Sequence, residues 1–200
     1  MIRHYALNLL MLLVFVLGCK QVSEKKITVS VMKKDKLHLA LQPLQAGNKK
    51  YVYLIREKIE SFYGFKVTIL KGKTIPGKFN EKKSFNAKKI ALYLDQSREE
   101  EFDFVLGVTG KKLALQKGLH GFGNKKSSVI SLYDLKKKKN KLVSICLFQL
   151  GKSIGLNNCK KKNCLMNINA ENVNLKTEKK AFCKTCFKNL NRLKKEKCRI

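Results

Sequence analysis

Four cysteines near the carboxyl end of this 200-residue chain have the spacing of a metal site. Cys159 and Cys164 form a C-x4-C pair, and Cys183 and Cys186 form a C-x2-C pair, with residues 165–182 between them. Two thiolates a few residues apart can both reach one ion at about 2.3 Å without straining the backbone. The pattern predicts one four-thiolate site, and structural zinc is the ion that such sites most often hold.

Two disulfides are the alternative state of these four cysteines, because an exported protein can form them. A C-x2-C disulfide closes a very small loop and constrains the unfolded chain little, so an ion that joins both pairs would stabilise the fold more. We therefore favour one structural zinc ion. Two further cysteines stand apart: Cys146 falls on a predicted helix and is expected to be a small buried hydrophobe, and Cys198 has no evident partner.

The first residues resemble an export signal rather than part of the fold. Arg3 supplies a positive start, and residues 9–17 are an unbroken apolar run that is too short for a stable membrane span. The run leads into Val-Leu-Gly-Cys19, which resembles the lipobox of bacterial lipoproteins. Residues 1–18 are therefore predicted to be a lipoprotein signal peptide, and residues 19–36 a lipidated tether on the extracytoplasmic side of the bacterial cell envelope. An ordinary secretory signal with a chance cysteine and an uncleaved anchor are the alternatives.

The chain is strongly basic, with 44 lysines and arginines against 14 acidic residues and a formal net charge of +30. Only five of the basic residues are arginine, the side chain that bidentate recognition of phosphates and bases prefers. The lysines are spread in short runs, and neither a helix-turn-helix nor a ladder of aromatic residues accompanies them. We therefore expect no specific nucleic-acid partner. A tethered protein of this charge is expected to lie against anionic lipid, each lysine near the surface contributing roughly 1 kcal/mol.

Residues 37–200 are predicted to form one domain, because 44% of the chain is hydrophobic and no Pro/Ser-rich linker divides it. Hydrophobic periodicity and the positions of glycine and proline predict its elements. These are a strand at 37–41 that Pro43 stops, a helix at 52–62 that Gly64 ends, a strand at 66–70, a loop at 72–86, a helix at 87–94, a strand at 102–108, an edge strand at 129–132, and a helix at 142–154 that Gly155 caps. This order implies an α/β fold, a twisted mixed sheet with packed helices.

The residues that follow the last predicted helix resemble the archaemetzincins. Their signature is H-E-x-x-H-x-x-G-x-x-H-C-x4-C-x-M followed by C-x-x-C, and this chain has Gly-Leu-Asn-Asn-Cys at 155–159, then Cys164-x-Met166, then Phe-Cys-x-x-Cys at 182–186. The stretch at 103–109 is also similar to the family. The resemblance implies a metzincin-like fold and a zinc metallopeptidase ancestry. In such a fold a long helix carries two zinc-binding histidines, a glycine turns the chain to a third, and a methionine turn, here Met166, lies beneath.

The resemblance fails at the positions that the family uses for catalysis. Aligning the signature places Phe148 and Lys152 at the two helix histidines, Gln149 at the catalytic glutamate and Asn158 at the third histidine. A phenylalanine has no lone pair to donate to a metal, a glutamine cannot take a proton from a bound water, and a lysine brings a cation to the place of the ion. Asp134 also stands where many relatives carry an arginine. The catalytic zinc is therefore expected to be absent.

No histidine outside the signature offers a replacement ligand set, because His38 and His120 are the only two beyond residue 36 and neither belongs to a histidine motif. His120 is expected to be a surface or cleft residue. We interpret the chain as a membrane-anchored, catalytically inactive metallopeptidase homologue with one structural zinc and an unidentified peptide or protein ligand. A zinc peptidase with unconventional ligands is the alternative, and a polycationic lipoprotein that binds anionic surfaces through charge alone is the second alternative.

Overall fold

The computed structural model describes residues 36–45, 49–116, 119–135, 138–167 and 181–198. The predicted signal peptide, Cys19 and all but the last residue of the tether lie outside them. Along the chain the described residues form β1 (His38–Leu44), α1 (Lys49–Tyr63), β2 (Lys66–Ile69), β3 (Asn80–Glu81), β4 (Ser84–Asn86), α2 (Ala87–Gln96), β5 (Phe104–Thr109), β6 (Leu113–Ala114), β7 (Gly121–Gly123), β8 (Ser127–Ser131), α3 (Lys139–Ile154) and α4 (Lys184–Lys197).

Five of the strands make one mixed sheet in the order β2-β1-β5-β8-β7. The first four strands are parallel, and β7 pairs antiparallel with β8. Parallel strands need crossover connections, which here carry the helices α1 and α2. Strands β3, β4 and β6 form a separate small sheet. The predicted α/β class with a mixed sheet and packed helices is confirmed.

Alternating side chains of the central strands build a hydrophobic core on each face of the sheet. In β1, Leu39 and Leu41 belong to a core shared with α1, α3 and α4, whereas Ala40 and Leu44 belong to a core shared with α2. Because residues on both faces of β1 are buried, its sequence is almost continuously apolar. The candidate site lies on the side of the first core.

The prediction that Pro43 stops the first strand is wrong, since β1 continues to Leu44. Odd-numbered residues of β1 direct their backbone groups toward β2, as shown by the hydrogen bond from Leu70 N to Leu41 O (3.0 Å). Because β2 ends at Ile69, an N–H at position 43 would have no partner in the sheet on this side. The lack of this N–H in proline therefore costs no hydrogen bond. Leu44 still pairs with Thr109 of β5 on the other side.

Two further expectations need correction. The predicted loop at 72–86 contains a 3-10 turn at Gly77–Phe79 and the antiparallel pair β3 and β4. The strand predicted at the sheet edge, β8, lies between β5 and β7, and β7 is the edge strand at that end of the sheet. Strands of two or three residues are too short to show a periodicity in sequence, so these elements could not be recognised from the pattern alone.

The long helix α3 ends as its sequence predicts. Gly155 follows it with φ of +112°, a left-handed conformation that side chains other than glycine rarely adopt. Its N–H caps the helix by bonding to the carbonyl of Lys152 at 3.0 Å. The chain therefore turns sharply away from α3 into the cysteine-rich segment. Across the described ranges we find no helix with the length and apolar character that a membrane span requires.

Candidate metal centre

The four paired cysteines converge in space. The Sγ atoms of Cys159, Cys164, Cys183 and Cys186 all lie within 4.8 Å of one another. The sulfurs of Cys159 and Cys183, which belong to different pairs, are 3.8 Å apart. Zn–S bonds of about 2.3 Å in a regular tetrahedron place the sulfurs about 3.8 Å apart. The spacing of these two sulfurs therefore matches one edge of a four-thiolate site.

The first pair is held by a tight turn that follows the helix cap. The N–H of Cys159 donates to the carbonyl of Met166 at 3.0 Å, and the N–H of Cys164 donates to the carbonyl of Lys161 at 3.0 Å. The N–H of Lys161 points at Cys159 Sγ at 3.4 Å. This contact fixes the position of the Cys159 sulfur within the turn. The turn thus presents two sulfurs on one side.

The second pair opens the terminal helix. Ala181 pairs with Cys164 through an isolated bridge, which brings the segment before α4 against the first turn. Cys183 is the N-cap residue of α4, and Cys186 lies in its first turn. The N–H of Cys183 points at Cys164 Sγ at 3.4 Å. The two pairs are therefore joined through backbone contacts as well as through their sulfurs.

The thiol pKa values differ within the cluster. The backbone N–H of Cys186 lowers the pKa of Cys183 to about 7. Burial raises the pKa of both Cys164 and Cys186. Ionising several of four adjacent thiols brings negative charges close together, which costs free energy unless a cation binds between them. This donor set therefore fits a soft dication such as zinc. The residues present are thus suitable ligands for the predicted ion.

The other two cysteines of the domain do not join the cluster, and none of the six described cysteines forms a disulfide. Cys146 is 1% exposed within α3, and burial raises the pKa of its thiol. Cys198 follows α4, and its N–H donates to the carbonyl of Lys194 at 3.0 Å. Within the described ranges, the four paired cysteines are the only group of three or more Cys, His, Asp or Glu side chains placed to share an ion.

A second cluster contains the residues that the signature aligns with the catalytic ligands. Phe148 and Lys152 are one turn apart on α3, and both are partly buried. The turn at Gly155 brings Asn158 back toward the helix, and Lys152 Nζ donates to Asn158 Oδ1 at 3.3 Å. Three of the four aligned positions therefore lie on the same side of α3. These side chains do not fit a catalytic zinc ion, because one is apolar and another is an ammonium donor.

Gln149, at the position of the catalytic glutamate, is buried against the edge strand. A Cβ atom placed on Gly121 would lie 3.1 Å from Gln149 Cγ, and one placed on Gly123 would lie 3.2 Å from Gln149 Oε1. The two glycines thus leave the room that this side chain fills. Ser153 of α3 lies in the same layer, 3.4 Å from the Cβ position of Gly123.

Met166, the residue predicted to form the methionine turn, packs against α3. It is fully buried, and its Sδ would be 2.7 Å from a Cβ on Gly151, so α3 needs a glycine at this close approach. Tyr63 lies beside them and donates a hydrogen bond from its hydroxyl to the carbonyl of Leu147 at 2.5 Å. Burial raises the pKa of Tyr63, which keeps its hydroxyl a donor.

A cleft of about 370 Å³ opens at the carboxyl ends of β5 and β8. His120 and Asp134 line it. Burial lowers the pKa of His120 from its ordinary value of 6.5, and Lys141 lowers it further while Asp134 raises it. Sequence reasoning predicted a surface or cleft position for His120 but missed Lys112, Gln116 and Ser131 in the same lining. Their position after parallel strands is the signal that could have indicated them.

The second histidine lies at the other end of the sheet. His38 begins β1 and is 6% exposed, with its Nε2 2.8 Å from Thr68 Oγ1. His120 lies beyond the carboxyl ends of the strands, so these two side chains cannot bind one ion together. Neither contributes to the four-cysteine cluster.

No protein-family model and no curated protein matches this chain. Several solved structures are similar to it, including the following three. The archaemetzincin of Methanopyrus kandleri is 24% identical with a TM-score of 0.66, and the match covers 80% of this chain and 96% of that one. The archaemetzincin of Archaeoglobus fulgidus, solved with malonate, is 20% identical with a TM-score of 0.63 and coverage of 76% and 99%.

The third structure is a zinc-dependent peptidase from Methanocorpusculum labreanum, which is 17% identical with a TM-score of 0.62 and coverage of 76% and 100%. At these identities the likeness establishes the architecture. The chain has the fold of the archaemetzincins, with a carboxyl-terminal cluster of four cysteines that could hold a metal ion.

Proposed function

We propose that this chain is a catalytically inactive archaemetzincin that binds a peptide or protein without cleaving it. One structural zinc at the four cysteines stabilises the carboxyl-terminal part of the fold, and a lipid on Cys19 holds the chain to the bacterial envelope on its extracytoplasmic side. The fold and the order of the signature residues support the family, since the glycine, the methionine and the cysteines keep the spacing of the signature. The lipobox-like sequence before Cys19 supports the anchor.

The main support for the proposed loss of catalysis is the hydrogen bond between Lys152 and Asn158. An ammonium group at a ligand position repels a dication and has no lone pair to offer it. In this structure the ammonium group of Lys152 also donates to the side-chain oxygen Oδ1 of Asn158. This oxygen is the only side-chain atom at the three positions that could bind a metal ion. Phe148 completes the set with an apolar ring. Zinc-bound water is the nucleophile of such peptidases, so a chain without the ion lacks the nucleophile that attacks the peptide bond.

Binding of an extended peptide is supported by the edge strand. Ser131 N donates to His120 O at 2.8 Å, so even-numbered residues of β7 direct their backbone groups toward β8. The N–H and C=O groups of Gly121 and Gly123 therefore point to the outer edge of the sheet. An extended peptide can add a strand at such an edge, and the cleft next to His120 offers space for its side chains.

Metal analysis and a peptidase assay on the same preparation test this function. We expect about one zinc per chain, retained in Cys198→Ser, lost in Cys183→Ser, and no cleavage of any peptide in a mixed library. The Cys198→Ser variant is the matched control because it removes a thiol outside the cluster. Two zinc ions per chain together with chelator-sensitive cleavage would refute the proposal and favour a peptidase with unconventional ligands.

Restoring the signature provides a second test. A variant with Phe148→His, Gln149→Glu, Lys152→His and Asn158→His recreates the ligand set of the family on the existing helix and turn. We expect this variant to bind a second zinc ion that the unchanged chain does not bind. A restored variant that binds the same single ion would indicate that these positions do not converge as the hydrogen bond between Lys152 and Asn158 requires.

The anchor is tested separately by labelling cells with a palmitate analogue. The unchanged chain should incorporate the label, and a Cys19→Ala variant should not. Peptide binding is tested by a pull-down of library peptides in moderate salt, with the unfolded chain as the control. Binding that survives unfolding and collapses steeply with salt would instead indicate the polycationic alternative.

A further inference from the structure

The outward face of α4 carries an aromatic ring surrounded by lysines. Lys184, Phe187, Lys188, Asn191 and Lys195 recur at intervals of three and four residues, so they share one side of the helix. All five are exposed, and Phe187 is 55% exposed. They line a shallow groove along the helix. A phenylalanine this exposed within a basic surface has no role in the core.

The opposite face of α4 fixes this orientation. Leu190 is 2% exposed and packs in the core shared with α1 and α3. Lys194 Nζ donates to the carbonyl of Tyr63 at 2.6 Å and lies over the ring of Phe65. Cys186 holds the first turn of the helix at the thiol cluster. The helix therefore cannot rotate to bury Phe187 without losing these contacts.

Positive charge dominates around Phe187. Glu196 is the only acidic residue of α4, and its carboxylate is paired with Arg192 at 2.6 Å. This pair leaves the net charge of the face to its lysines. Residues 160–162, three exposed lysines in the turn between the first two cysteines, add positive charge near the start of α4. They lie nearby because Cys159 Sγ is 3.8 Å from Cys183 Sγ at the start of α4.

We propose that this face, formed by α4 together with residues 160–162, docks on a bilayer surface of anionic phospholipid. The lysines neutralise head-group phosphates, and Phe187 enters the interfacial region between head groups and acyl chains. The inference goes beyond the anchor, because a lipid on Cys19 would hold the chain to a membrane whichever way α4 faced.

Nucleic acid fits this face less well than lipid. Nucleic-acid surfaces use arginine for bidentate phosphate and base contacts. The single arginine of this face, Arg192, is instead paired with Glu196. Binding of single strands also uses several aromatic rings as a stacking platform, and this face presents one. A lone aromatic ring among lysines on an exposed helix is instead the arrangement of interfacial anchors.

Site-specific fluorescence tests the proposal, because the chain contains no tryptophan. The full chain carrying Phe187→Trp is mixed with vesicles of phosphatidylglycerol and phosphatidylcholine in equal parts, or of phosphatidylcholine alone. We expect a blue shift of emission and quenching by brominated lipid on the anionic vesicles. The matched control is Leu92→Trp on α2, the helix that packs on the opposite face of the sheet. Leu92 is exposed, and tryptophan at this position should show neither change.

A charge test does not depend on the tryptophan variant folding. Changing Lys188 and Lys195 to glutamine should lower partitioning of the chain to anionic vesicles on the order of 30-fold at low salt. The same change at Lys88 and Lys89, two exposed lysines of α2, should have little effect. Equal losses for both pairs would mean that charge acts without a defined face.

Two further results would overturn the proposal. One is an emission spectrum of the Phe187→Trp variant that vesicles leave unchanged. The other is a response of that variant to duplex or single-stranded nucleic acid at the same salt concentration with no response to lipid. Absence of palmitate on Cys19 would refute the anchor alone, because the emission at position 187 reports on α4 in either case.

Discussion

Removing metal from the four-cysteine cluster should release α4 while the sheet stays folded. A helix of fourteen residues is marginal in water by itself, so α4 depends on what holds it. Only Cys186 and Leu190 of this helix are fully buried. Burial of Leu190 contributes about 2–3 kcal/mol, and the hydrogen bond from Lys194 to Tyr63 about 1.5–3 kcal/mol.

A metal ion held by the four cysteines would contribute more than these contacts together. A structural zinc site supplies roughly 10–16 kcal/mol of apparent binding free energy at neutral pH, which exceeds the sum of the two contacts, about 3.5–6 kcal/mol. The cysteines that could hold the ion include the N-cap residue and a first-turn residue of α4, so the free energy of metal binding would act on the docking of this helix. Most residues of the two cores lie outside α4, so the sheet should remain folded without the metal.

Hydrogen exchange followed by mass spectrometry measures this effect. After chelation, or in Cys183→Ser, amide protection in α4 should fall by about 1,000-fold or more, equivalent to about 4 kcal/mol, while β1 and β5 keep their protection. Cys198→Ser, at the end of the same helix, should retain both the metal and the protection. Unchanged protection of α4 in metal-free protein would refute the reasoning, since the side-chain contacts alone would then suffice.

Three smaller perturbations follow from the contacts around α3 and the cleft. Tyr63→Phe removes the hydrogen bond to the carbonyl of Leu147 and should lower the free energy of unfolding by about 1 kcal/mol in urea titrations. Gly155→Ala places a side chain at φ of +112° and should cost about 1–2 kcal/mol in the same assay. The folded-state pKa of His120 lies below 6.5, so the unfolded chain binds this proton more readily. Stability should therefore fall as the pH is lowered through 6.5 and level off below the folded-state pKa. Lys141→Gln should raise the pKa of His120 in an NMR titration.

Each of these has a control at a position without the contact. Tyr53→Phe changes a side chain that is 61% exposed and should leave stability unaltered. Gly77→Ala adds a Cβ with no atom within 4 Å and no left-handed φ, so a cost equal to that of Gly155→Ala would contradict the backbone argument. Asp134→Asn should move the pKa of His120 downward, opposite to Lys141→Gln, and a shift in the same direction would exclude the charge assignment.

Local patterns in the sequence predicted the helices and the glycine turn well. The spacing of apolar residues in α1, α2 and α3 indicates which faces they bury, and Gly64 and Gly155 end helices with positive φ. The pairs C-x4-C and C-x2-C indicate local turns that present two sulfurs each. Such signals depend on neighbours within one or two turns, so a single sequence contains them.

The tertiary structure decided which distant segments meet. The pairing of Cys164 with Ala181 brings the two cysteine pairs together, and the register of β1 allows Pro43 because β2 ends before it. The short strand β7 takes the sheet edge, and Lys152 reaches Asn158 only because the chain folds back at Gly155. Register and edge order arise from contacts between residues far apart in sequence, and periodicity carries no information about them. The sequence by itself therefore determined the four thiol donors and the residue types at the positions that the signature aligns with metal ligands, whereas the fold determined that the four sulfurs converge and that Lys152 lies beside Asn158.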